Sequence, residues 1–272
     1  MDERLHKLLA QHGIGSRRQV ESWILEGRVL VNGKPAVVGQ HVGPSDRVVV
    51  DGRDVTKRIA STPSMRVIVY HKPSGEMLKR QQGDERAGVE TRLPSLRAGR
   101  WLPVNALGYG EDGLLILASD GAFASVAARL GRALPVEYRV RALRPRESAD
   151  WPAIPLVADV EGEEVAFSSV ERLEGSVTNA WFKVTADRNL PRGAVRALFD
   201  AAGLKVSRIL LVRWGPVGLP RDLPRGRSRD LEGADLEALL ALAGRPRERT
   251  RAGPRKGPRA PRSPTGRRSG GR

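Results

Sequence analysis

The sequence contains no cysteine, which excludes a disulfide framework and a thiolate metal site. Histidine is scarce as well. The four present are scattered without ligand spacing, so no metal site is expected. Long apolar runs are missing. Runs such as Leu114 to Ala118 and Ile209 to Val212 are far too short to cross a bilayer. Met1 to Ala10 is charged and lacks the apolar stretch of a secretory signal. A soluble cytoplasmic protein with no membrane partner is the expectation.

Acidic charge is in short supply relative to basic. The 272 residues carry 47 Lys/Arg against 31 Asp/Glu, a net charge of +16. A balance this basic is the electrostatic footprint of a nucleic-acid binder. Arg245 to Arg272 holds +10 of it. With five Pro and five Gly among its 28 residues, that stretch cannot bury apolar surface and is expected to be a disordered basic tail. It reads either as a solubilising extension or as an interaction arm.

The chain divides into residues 1–60, 65–243 and 244–272, with Val55 to Ser64 read as a linker. In the first segment Leu5, Leu8 and Leu9 recur at helical spacing. Ser16 is a suitable N-cap for a second helix, Arg17 to Glu26, with Val20, Trp23 and Ile24 on one face. Valines from Val29 to Val50 mark short strands, with Asn32-Gly33 as a hairpin turn. The second segment mixes short strands with helices at Gly121 to Leu130 and Pro191 to Ala202. This is an α+β pattern on a mainly antiparallel sheet.

Arg4-Leu-His-Lys-Leu-Leu-Ala, Gly15-Ser-Arg-Arg and Glu26-Gly-Arg-Val-Leu-Val-Asn-Gly-Lys, in that order, resemble the alpha-L RNA-binding domain of a ribosomal protein and of many RNA-modifying enzymes. The resemblance runs from Arg4 to Asp54. Arg17 and Arg18, beside the free N–H groups of a helix start, suit phosphate binding. Lys7, Arg28 and Lys34 extend that basic face, and structured RNA is recognised largely through shape and backbone. Arg4, Ser16 and Asn32 complete the RNA-binding set that the resemblance implies. The bland alternative is a face of ordinary solvated charges.

Tyr70-His-Lys-Pro-Ser-Gly, Gly113-Leu-Leu-Ile-Leu-Ala-Ser-Asp-Gly, Glu137-Tyr-Arg-Val, Gly203-Leu-Lys-Val-Ser-Arg and Val212-Arg-Trp-Gly-Pro-Val together resemble the ribosomal RNA pseudouridine synthases, most closely the large-subunit branch. That resemblance implies isomerisation of uridine in RNA without a cofactor. The target nucleotide would be flipped from the stack, with an aspartate beside the ribose. It also implies Tyr138 as the aromatic against the base, and Lys72 and Arg196 as RNA contacts. The family reads Gly-Arg-Leu-Asp where this chain reads Asn105-Ala106-Leu107-Gly108. The aspartate position is therefore Gly108 and the arginine position Ala106. Basic residues are also missing at Val136, Gly193 and Ala197. Glu111 and Asp112 are the nearest substitute acids. A shift of three or four residues along a loop is expected to misplace a carboxylate, and 1 Å of misplacement costs on the order of a hundredfold in rate. Glycine at 108 is also expected to sit in a backbone conformation costly for aspartate.

Three functions follow. The first is a catalytically impaired RNA-binding member of this family, monomeric, whose partner is structured RNA such as ribosomal RNA or pre-ribosomal particles. The second is an active synthase using Glu111 or Asp112. The third is a DNA-binding or ribosome-rescue protein using only the N-terminal module, which the long central resemblance argues against.

Overall fold

The computed structural model describes residues 3–60, 65–78, 87–96, 99–145 and 150–244. The basic tail from Arg245 and the linker residues Ser61 to Ser64 lie outside them.

The N-terminal part contains β1 (Glu3–Arg4), α1 (Leu5–Gln11), α2 (Arg17–Leu25), β2 (Val29–Val31), β3 (Lys34–Pro35), β4 (His41–Val42), β5 (Val48–Val50) and β6 (Arg53–Asp54). Strands β3-β2-β5-β6 form one sheet, while β1 pairs with β4. Ser16 caps α2 in a reciprocal box: its hydroxyl accepts from the Gln19 N–H, and the Gln19 side chain accepts from the Ser16 N–H at 2.9 Å. Leu5, Leu9, Val20, Ile24 and the inward valines of β2 and β5 form the core of this part. The segment read as a linker begins instead as a short helix, α3 (Thr56–Ala60). Val55 and Ile59, four residues apart, both pack against the same core.

A second, larger apolar cluster fills the remainder. Its strands are β7 (Val67–Lys72), β8 (Leu102–Pro103), β9 (Asp112–Ala118), β10 (Val136–Leu143), β11 (Val157–Val160), β12 (Glu163–Ala166), β13 (Ser169–Gly175), β14 (Asn179–Ala186), β15 (Lys205–Trp214), β16 (Val217–Gly218) and β17 (Ser228–Asp230). The main sheet runs β13-β14-β10-β15-β9-β7-β17. All of its pairings are antiparallel except β15 with β9, which are parallel. That contact is close: a Cβ on Gly113 would overlap the Leu211 carbonyl, and Gly113 has φ +117°. Only glycine fits there.

Three helices accompany the sheet: α4 (Gly121–Leu130), α5 (Ala194–Ala201) and α6 (Gly233–Leu242). Asp120 caps α4 by accepting from the Phe123 N–H at 2.7 Å. Phe199 of α5 meets Phe182 of β14 edge to face, with ring centroids 5.2 Å apart. The sequence pattern predicts α5 from Pro191, but the helix starts at Ala194. Gly193 precedes it with φ +86°, which breaks the right-handed path.

Candidate functional site

The loop before β9 is held in place by two buried polar side chains. Asn105 acts as a short piece of strand, donating to the Leu114 carbonyl at 2.9 Å and accepting from the Ile116 N–H at 2.8 Å. Lys72, at the end of β7, is fully buried. Its ammonium donates to the carbonyls of Gly108 (3.0 Å), Glu111 (2.9 Å) and Pro73 (3.2 Å). Burial pushes its pKa below the usual lysine range, against the pull of Glu76, Glu111 and Asp112. Lys72 thus fixes the loop from inside. The expectation that it touches RNA is corrected, because a fully buried amine presents no surface to a ligand.

Within this loop the chain turns back on itself, the Glu111 N–H donating to the Gly108 carbonyl at 3.2 Å. The Glu111 carboxylate folds over the turn and accepts from the Gly108 N–H at 2.6 Å. A Cβ built on Gly108 would lie 3.3 Å from that carboxylate. Two expectations are therefore corrected. Gly108 is not in the left-handed region, so aspartate is not excluded there by its backbone. Glu111 is also not carried away from the aspartate position, since the turn returns its carboxylate to that spot. Tyr138, buried on β10, faces the same place. Its phenol is raised well above its ordinary value, first by burial and then by the Glu111 charge. Among the described residues no cation lies within 4 Å of the Glu111 carboxylate, though the buried Lys72 ammonium attracts it from further off.

Asp112, one residue on, has a different environment. Its side chain is 3% exposed. One oxygen receives Arg208 at 2.7 Å and Arg225 at 3.2 Å. The other faces His71 Nε2 at 3.2 Å, while His71 Nδ1 meets the Leu223 carbonyl at 2.8 Å. Both ring nitrogens face acceptors, which favours imidazolium. Burial alone would depress the His71 pKa, but the Asp112 hydrogen bond, the Leu223 carbonyl and the Asp112 charge outweigh it and raise it overall. Asp112 is a buried anchor for three cations.

On the N-terminal part, Arg17 and Arg18 are exposed at the start of α2, and neither has a carboxylate partner among the described residues. Lys7 pairs with Glu3 at 2.7 Å. Lys7, Arg17 and Arg100 line one cleft of about 210 Å³ between α1 and the start of α4. Arg4 and Lys34 are exposed. Arg28 is not free to grip phosphate: its guanidinium binds Asp51 at 2.7 and 2.8 Å and Glu26 at 3.0 Å, and lies over Trp23. Asn32 is likewise committed, donating to Asp46 at 2.8 Å and accepting from the Arg47 N–H at 2.9 Å. The Ser16 hydroxyl serves its helix cap.

Residues 3–48 match the S4 domain. The chain is 36% identical over 250 residues to ribosomal large subunit pseudouridine synthase B of Escherichia coli (strain K12), covering 91% of this chain and 86% of that protein. It belongs to the pseudouridine synthase B family. The protein of the same description from Xanthomonas campestris is 37% identical over 246 residues, which is 89% of this chain but 50% of that longer relative. A solved pseudouridylate synthase superposes on 87% of the chain with a TM-score of 0.51 at 20% identity, a likeness of fold.

Val136 is buried on β10 at 2% exposure. Gly193 is left-handed, so a basic residue there would be strained. Arg196 is exposed on α5 and donates to the Val206 carbonyl at 3.3 Å. The sequence reading missed His71, Arg208 and Arg225. His71 and Arg208 stand inside quoted motifs, but Arg225 lies 113 positions beyond Asp112, and no local pattern joins them.

Proposed function

We propose that this chain binds structured ribosomal RNA through its S4 module and its synthase-type fold, but does not isomerise uridine. The observation that carries this reading is the fate of the three acid positions. Gly108 supplies no carboxylate. Glu111 lies beside it, held by a backbone N–H, with no ion pair at contact distance among the described residues. Asp112 is buried under Arg208, Arg225 and His71. A carboxylate acting beside a flipped nucleotide must be held ionised, oriented and open to the ribose. None of the three positions meets all of these conditions. Tyr138 is kept at the place the Glu111 carboxylate reaches, but it is buried; a nucleotide is bound without reacting.

A second reading rests on one specific observation, the return of the Glu111 carboxylate to the aspartate position. In it Glu111 is the acid and the chain is an active synthase. Sequencing of RNA bound to the protein in cells, with pseudouridine mapping in strains with and without the gene, separates the two. Bound ribosomal RNA with an unchanged pseudouridine map supports the first reading. A site that disappears with the gene supports the second.

A further inference from the structure

The outer face of the main sheet carries cations where a sheet should avoid them. On β10, Arg139 and Arg141 are exposed. Arg141 stands directly opposite Arg208 on β15 and Trp181 on β14, and Arg139 directly opposite Lys183 on β14. Like charges opposed across strands cost stability, and here two such pairs are adjacent on one face. The opposite face is the packed one. There Phe182 meets Phe199 of α5, and Trp214 lies against Gly131 beyond α4.

Apart from Asp112, which pairs with Arg208, the nearby acids do not neutralise this patch. Glu171 faces Lys183 across β13 and β14, and Glu137 faces Arg213. Among the described residues neither forms an ion pair with Arg139, Arg141 or Lys183. Arg141 donates only to a neutral acceptor, Asn179 Oδ1, at 3.1 Å. Arg208 is held in position by Asp112 at 2.7 Å and lies over the Trp181 ring at 5.8 Å from its centroid. The result is a partly exposed indole with Arg208 over its ring and Arg141 opposite it, next to the Arg139 and Lys183 pair.

We infer that this face binds a single strand of RNA, separately from the Gly108 loop and the S4 module. The phosphates lie along Arg139, Lys183 and Arg141, and one base stacks on Trp181 beside the Arg208 guanidinium, which Asp112 already holds. The chemistry matches: a cationic track with an aromatic platform suits single-stranded nucleic acid, and phosphates would relieve the opposed charges. Asp112 is a positioning residue for Arg208. The inference rests on the RNA-binding function proposed for the chain and adds a second RNA surface to it.

The test uses the full chain with two probes, a uridine-rich single-stranded RNA and an RNA duplex of equal length. Arg139→Gln with Lys183→Gln should lower the log–log salt slope for the single strand by roughly 1.4, at about 0.7 for each phosphate no longer neutralised. The melting temperature of this variant should hold or rise, which a merely structural role for these residues would not give. Trp181→Ala should weaken single-strand binding about tenfold, within the range for one stacked base, and leave the duplex nearly unaffected. An Arg17→Ala, Arg18→Ala variant should keep its sensitivity to Trp181→Ala. If the wild type binds RNA and the sheet-face variants bind it equally with the same slope, the sheet-face proposal fails alone. If the wild type binds neither probe, the RNA-binding reading fails and takes this proposal with it.

Discussion

The Glu111 carboxylate accepts a 2.6 Å hydrogen bond from the Gly108 N–H, closing over the place where residue 108 would carry a side chain. Two carboxylates cannot share this space without mutual repulsion. Gly108→Asp should therefore fold but cost about 1 kcal/mol, an ordinary penalty for a crowded substitution. The cost should shrink when Glu111→Gln is added. Thermal denaturation of the four proteins of this double-mutant cycle measures the coupling. Additive effects would mean the two side chains do not meet.

Asp112 should be the most sensitive of the loop acids. Removing a buried carboxylate leaves three cations facing one another, and breaking a buried ion pair costs about 3–5 kcal/mol. Asp112→Ala should thus lower the melting temperature by about 10 °C, at roughly 2–4 °C per kcal/mol for a domain of this size. Glu111→Ala should change it little. Equal effects would show that Asp112 is not the anchor described.

His71 gives stability a pH dependence. Its folded pKa is raised by the Asp112 bond, the Leu223 carbonyl and the Asp112 charge, which together outweigh burial. The sign follows from linkage. The contribution is fully present below the unfolded value, about 6.5, and is lost as pH rises through the higher folded value. Wild-type stability should fall across that window relative to His71→Gln, as read from urea midpoints. Parallel curves would show that His71 does not gain a proton on folding.

Much of this was legible in the sequence, for reasons that are local. Helix α4 follows from its periodicity, and α2 from Ser16. The expectation that Gly108 stands at the family's aspartate position is a matter of counting along a motif. The course of the loop is not local. A tight turn, fixed by Lys72 from another strand, decides that Glu111 returns and Asp112 turns inward. The resemblance to an RNA-binding domain casts Arg28 and Asn32 as RNA contacts, yet Asp51, Asp46 and Arg47 occupy them. The opposed charges on β10, β14 and β15 depend on strand register, which alternation in a single strand does not give.

The N-terminal arginines and the tail should separate in their effects. Arg17→Ala with Arg18→Ala should weaken binding to structured RNA and leave the circular dichroism spectrum unchanged. Arg28→Ala should leave affinity nearly unchanged, because its guanidinium is already occupied by Asp51 and Glu26. Deleting Arg245 to Arg272 should flatten the salt dependence, at about 0.7–0.9 for each phosphate that the tail neutralises, without altering which RNA is preferred. A slope unchanged by the deletion would make the tail a bystander.

Tritium release from uridine-labelled ribosomal RNA tests the absence of isomerase chemistry most directly. The wild type should release no more than a heat-inactivated control, and Gly108→Asp no more than a trace. Robust release by the wild type that is abolished by Glu111→Ala would contradict the silent-site reading and establish Glu111 as the acid.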